Sequence, residues 1–111
     1  MASVHRDELT ETLRNEVELI ERHITVLDMV LRKQPIGVIR LSRETGLKEH
    51  RVRYSLRMLE REGLVKPTME GAVCTKDARR IFLQLKRTLA ELGNRLIVAA
   101  HQVEEERKKV R

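Results

Sequence analysis

Apolar residues in the first third of the chain recur with helical spacing: Leu9, Leu13, Val17, Ile20, Ile24, Leu27 and Leu31 follow one another at steps of three and four. That places them on one face of a continuous helix. Asp7 is the expected cap and Pro35 forces an end near Gln34, so the spacing predicts a helix over residues 7–34. At about 1.5 Å per residue it would run roughly 40 Å, longer than the core of a small domain. The last third repeats the rhythm more regularly. Ala78, Phe82, Leu85, Leu89, Leu92, Leu96, Ala99 and Val103 alternate steps of four and three. Sustained in this way, the pattern is that of a coiled-coil seam, and it predicts a long dimerisation helix over residues 76–110. Thr75 is the expected cap of this helix, with Asp77 in its first turn.

Between the long helices the pattern changes quickly. "PIGVIRLSRETG" opens on a breaker, predicts a short helix from Val38 to Thr45 and closes it at Gly46. "LKEHRVRYSLRMLEREG" predicts a second helix, residues 48–62, stopped by Gly63. "LVKPTM", "EG" and "AVCT" read as two short strands around a tight turn, with Pro67 on an edge strand. The residues from 35 to 75 therefore form a compact middle flanked by helices too long for it to cover. The implied architecture is a single, mainly α domain with a small β-hairpin, and a homodimer held chiefly by Phe82, Leu85, Leu89, Leu92, Leu96, Ala99 and Val103.

Composition narrows the class. Aromatics are limited to Phe82 and Tyr54 in 111 residues, so the core is aliphatic, as suits helices packed on helices. No apolar run approaches the roughly 20 residues that span a bilayer, and no leader pattern opens the chain, so the expectation is a cytoplasmic protein with no membrane partner. A lone Cys74 agrees with a reducing compartment and reads as a small buried residue of a strand.

The net charge of +6 is unevenly placed. Residues 1–31 carry three Arg against seven acids, whereas residues 32–66 carry ten Lys and Arg against four Glu. The cationic centre lies in the 48–62 helix. There, Val52, Leu56 and Leu59 share one side as a buried stripe. His50, Tyr54, Arg57 and Arg61 occupy the other, flanked by Arg51 and Arg53. No acid intervenes from Arg51 to Arg57, so the alternative of a solvated, salt-bridged helix has few partners to draw on. A helix anchored on one side and cationic on the other suits insertion into the major groove of double-stranded DNA. Arginine suits the task because its planar fork bridges guanine O6 and N7 or grips a phosphate.

"VIRLSRETGLKEHRVRYSLRMLEREGLVKPT" followed by "GAVCTKDARRIF" resembles the helix-turn-helix and wing of winged-helix transcription regulators, the broad group that includes MarR-like, PadR-like and many archaeal regulators. The resemblance spans about residues 24 to 82, with "TGL" and "LEREGLV" its most specific parts. It implies that the 48–62 helix is the recognition helix, with Lys48, His50, Arg51, Arg53, Tyr54 and Arg57 facing DNA and Lys66 near the backbone. Arg51 and Tyr54 are the expected readers of base edges, Lys48, Arg53 and Arg57 the expected phosphate contacts, and His50 suits either. Two departures stand out. Lys48 occupies the place where such proteins often cap the helix with Ser or Thr, and the wing tip carries Met69, Glu70 and Gly71 instead of basic residues.

Other chemistry is sparse. His5, His23, His50 and His101 are scattered without ligand spacing, and there is no phosphate loop, nucleophile motif or carboxylate pair. No enzyme activity, metal or cofactor is expected. Two DNA-binding classes remain, a sequence-specific regulator acting as a homodimer and an architectural, nucleoid-associated protein held mainly by phosphate attraction, with a protein-interaction module whose basic face meets an acidic partner as a weaker third reading. Tyr54 and His50 favour the first, since a pure phosphate binder needs neither.

Overall fold

Pro35 lacks an amide and disfavours helix in the residue before it, so the first helix cannot pass this point. In the computed structural model, which describes residues 2–110 and the side chains of residues 8–103, helix α1 runs Ala2–Lys33 and the Gln34–Pro35 bond is cis. Its start lies five residues before the expected cap. Residues 2–6 contain neither Gly nor Pro, so the helical ladder begins ahead of Asp7 and leaves no terminus there for it to cap.

Helices α2 (Val38–Thr45) and α3 (Glu49–Arg61) follow, then strands β1 (Val65–Thr68) and β2 (Gly71–Cys74), then helix α4 (Ala78–Val110). This is the mainly helical fold with a small hairpin wing that the pattern predicts. The chain divides into two units, Met1–Ala78 and Arg79–Arg111, the second formed by α4 alone.

Local chemistry fixes each junction of the first unit. Gly46 takes the left-handed conformation after α2, with φ of 78°, and its N–H donates to Ser42 O. Thr45 Oγ1 donates to Leu41 O and accepts from Leu47 N, and Ser42 Oγ donates to Leu47 O, so the turn into α3 is stitched on both sides. Helix α3 ends in a Schellman motif: Gly63, with φ of 74°, donates to Glu60 O and Leu64 N–H donates to Leu59 O at 2.9 Å. Leu59 and Leu64, the positions that such a motif brings together, are both buried.

The two strands pair antiparallel with Val65 opposite Cys74 and Thr68 opposite Gly71. Ile36 bridges Ala72 from the other side through hydrogen bonds of 3.1 and 2.8 Å, and Gln34 Oε1 accepts from Cys74 N–H. Pro67 thus lies on the edge strand, where its missing N–H costs nothing. Gly71 is obligatory. Its φ is 130°, and a Cβ there would lie 2.5 Å from the carbonyl carbon of Ile36.

The core gathers Val26, Leu27 and Val30 of α1, Ile36, Leu41 of α2, Val52 and Leu59 of α3, Leu64, Val65, Ala72 and Ala78, all buried. Each large aliphatic side chain there contributes about 1.5–3 kcal/mol. The buried face of α1 differs from the expected stripe: Val26 and Val30 are fully covered, whereas Ile24 and Leu31 are half-buried. Packing against α3 selects the side of α1 that carries His23, Val26, Leu27 and Val30. Upstream, Leu9, Leu13, Val17 and Ile20 are exposed.

Thr75 does not act as the cap of α4. Its hydroxyl donates to Gly63 O at 2.6 Å, tying the end of β2 back to the α3–β1 turn, and only its carbonyl meets the helix, accepting from Ala78 N–H. The start of α4 at Ala78 likewise leaves Asp77 just outside its first turn. Among the described residues, no helix is long and apolar enough to cross a membrane.

Candidate nucleic-acid interface

Helix α3 begins at Glu49 because Lys48 adopts the extended conformation of an N-cap, and its carbonyl accepts from Arg51 and Val52 N–H. Its side chain makes no capping bond, leaving the first amides of the helix without a protein side-chain acceptor. The α3 side of the core is anchored by Val52, Ser55 and Leu59, with Leu56 and Met58 half-buried at its margins. Leu56 is thus less enclosed than expected, since the anchor turns toward α1 and places Ser55 where Leu56 was expected.

Ser55 is the polar residue that reading the sequence missed. It is fully buried, and its Oγ lies 2.8 Å from Nδ1 of His23 on α1. Spacing alone carries a signal, because Ser55 stands three residues after Val52 and four before Leu59, inside the apolar arc. Its partner lies 32 residues upstream, which no local pattern reveals. The His23 ring is also tilted by 30° against the Tyr54 ring, with centroids 5.9 Å apart. Burial first, and the neighbouring Arg22 guanidinium second, hold the His23 ring below its ordinary pKa of 6.5.

The solvent side of α3 carries Lys48, His50, Arg53, Tyr54 and Arg57, all exposed. None of the described Lys48, Arg51, Arg53 and Arg57 side chains enters an ion pair, and Arg61 reaches only the sulfur of Met58. Arg51 is exposed at the rim next to α1. There it lines a cleft of 370 Å³ together with Glu18, Glu21, Arg22, Thr25 and Leu47. Tyr54, 43% exposed, leans on His23 from the same side. Arg53, Arg57 and His50 stand further round, away from α1. Lys66 is exposed on β1 opposite Val73, and the hairpin tip presents Met69, fully exposed.

On α4, Phe82, Leu85 and Leu89 are half-buried, whereas Leu92, Leu96, Ala99 and Val103 are exposed, Leu96 by 68% and Val103 by 72%. Ile97 and Val98 are exposed as well, so the apolar surface wraps around the helix at this level rather than forming a narrow stripe. Among the described residues, no three His, Cys, Asp or Glu side chains gather as a metal site.

No protein-family model and no curated protein matches the chain. Solved structures do. A Listeria innocua protein of unknown function superposes with a TM-score of 0.54 at 15% identity, covering 75% of this chain and 72% of that one. The activation domain of the phage T4 transcription factor MotA gives a TM-score of 0.49 at 21% identity, over 67% of this chain and 78% of that one. The first of these likenesses is one of fold.

Proposed function

We propose that this chain binds double-stranded DNA as a homodimer, inserting helix α3 into the major groove, and serves as a sequence-specific transcription regulator. One observation carries the reading: the guanidinium groups of Arg53 and Arg57 stand free of ion pairs on the side of α3 opposite its buried anchor. A solvated helix of mixed charge would pair them along its own length. Here the positive charge is held toward solvent in a rigid frame, as groove binding requires. Lys48 adds a cation beside uncapped amides, a combination that suits a phosphate oxygen. The proposed dimer contact is the α4 seam, whose exposed Leu92, Leu96 and Val103 leave apolar surface that a second copy would cover. Two reading helices about 34 Å apart would then meet successive turns of one DNA face. No catalytic role and no cofactor enter this proposal.

A second reading, an architectural DNA protein with little base preference, gains from the placement of Arg51 and Tyr54. Both sit at the α1 rim, whereas Lys48, Arg53 and Arg57, the expected phosphate contacts, are exposed and stand outside the cleft that Arg51 shares with α1. Selection from a random duplex pool, followed by titrations at two salt concentrations, tests both. A regulator enriches a two-part inverted site bound roughly 10³-fold more tightly than random DNA. An architectural protein enriches nothing and shows a steep salt slope. Absence of binding to any duplex in dilute buffer would refute both.

A further inference from the structure

In the His23–Ser55–Tyr54 group, a titratable side chain of α1 touches the helix proposed to read DNA. The buried Ser55 hydroxyl meets Nδ1 at 2.8 Å, and the same ring flanks Tyr54, which is 43% exposed. A single side chain therefore grips α3 on its buried side and steadies a residue on its open side. We propose that His23 is a positioning residue, which sets the placement of Tyr54 on the DNA-facing side of α3 and releases it when the imidazole takes up a proton. The DNA-facing role of Tyr54 rests on the reading given above; its coupling to His23 does not.

The chemistry of the ring gives the direction. Either neutral tautomer satisfies Ser55, one by accepting the hydroxyl proton at Nδ1 and the other by donating Nδ1–H to Oγ. The imidazolium can only donate. Where Nδ1 of the neutral ring accepts, protonation forces the hydroxyl hydrogen of a fully buried Ser55 to leave it, and for either tautomer protonation places a cation beside Arg22. Of the charged groups on the two helices, Arg22 acts on the ring, and Glu18 and Glu21 of α1 and Arg51 of α3 line a cleft together with Arg22. His50 stands one turn before Tyr54 on α3 itself. Burial and Arg22 both favour the neutral ring, so the neutral, gripping form prevails at neutral pH and yields on acidification.

Tyr54 is the only tyrosine in the chain, so its ring resonances are unambiguous. In the parent protein, Tyr54 ring shifts followed by NMR from pH 8 to pH 5 should move in a step that tracks the His23 ring and has its midpoint below the ordinary 6.5 of histidine. That step should vanish in His23→Asn, which keeps a polar atom at the δ position without a titrating ring, and it should persist in His50→Asn. In the same buffers, the affinity of the parent for a mixed-sequence duplex relative to that of His23→Asn should fall at least about twofold between pH 7.5 and pH 5.5. The ratio cancels the pH dependence that both proteins share. Flat Tyr54 shifts, or a step unchanged by His23→Asn, would overturn the proposal. A Tyr54 step with an unchanging affinity ratio would overturn the link to DNA contact. If the parent binds no duplex at any pH, the DNA reading fails, and the ring titration still decides the role of His23.

Discussion

Helices α3 and α4 both carry apolar residues at helical spacing, yet the burial of those residues differs. On α3, Val52 and Leu59 are 0% and 5% exposed, whereas Leu96 and Val103 on α4 are 68% and 72% exposed. Periodicity marks a face that needs cover without saying what supplies it. The α3 stripe is satisfied within the chain, by α1, α2 and the turn after Gly63. On α4, Leu92, Leu96 and Val103 stand exposed, the apolar surface that the proposed second copy would cover. The same contrast runs through α1, where Val26, Leu27 and Val30 are enclosed while Leu9 and Leu13 stand open.

The sharpest way to break this comparison is to truncate one leucine on each helix. Leu59→Ala should lose about 2–5 kcal/mol in urea unfolding, a large share of a domain's typical stability. Leu96→Ala should change unfolding of the isolated chain by less than about 0.5 kcal/mol, yet lower the mass observed by light scattering at micromolar concentration. Equal losses of stability in both variants, independent of protein concentration, would show that the two faces do not differ in kind. Gly71→Ala comes next. An alanine there must hold an unfavourable φ and displace the backbone of Ile36, for a loss on the order of 1–3 kcal/mol. Thermal unfolding measures it, and a melting temperature equal to the parent's would mean that Ile36 and the hairpin are not closely joined.

Much of this was legible in advance, because the signals are local. Gly46 and Gly63 mark helix ends by left-handed geometry, Pro35 marks one by a missing amide, and "PIGVIRLSRETG" fixes α2 to the residue. Errors arose where a residue had two possible employers. Thr75 has the chemistry of a cap, yet Gly63 O comes within 2.6 Å of it only after the hairpin folds back. Asp7 has the same chemistry, yet the helix is already under way before it. A wheel drawn for one helix does not show that α1 brings His23 against Tyr54 or that Arg51 shares a cleft with Glu18 and Glu21.

Smaller effects test the open side of α3. Arg57→Ala removes an exposed, unpaired cation, so stability should stay within about 0.5 kcal/mol of the parent. Binding should weaken about equally for every duplex, and the slope of log affinity against log salt should drop by about 1. A variant that binds all DNA as the parent does would remove Arg57 from the interface and leave its face of α3 without a purpose.

The smallest effect concerns the seam between α1 and α3, where the stability of the fold meets proton uptake. Burial and Arg22 lower the pKa of His23 in the folded chain, so the unfolded chain binds this proton more tightly. The contribution of the neutral ring is fully present above the unfolded value of about 6.5 and is lost as pH falls below it toward the lower folded value. The ring is only half-buried, so the change is modest, and the difference between parent and His23→Asn isolates it from the carboxylates that titrate at lower pH. Unfolding free energies of the two proteins should stay a constant distance apart from pH 8 to pH 7 and draw together on acidification to pH 5. If they stay parallel throughout, the ring carries no folding-linked proton, and the contact with Ser55 is indifferent to charge.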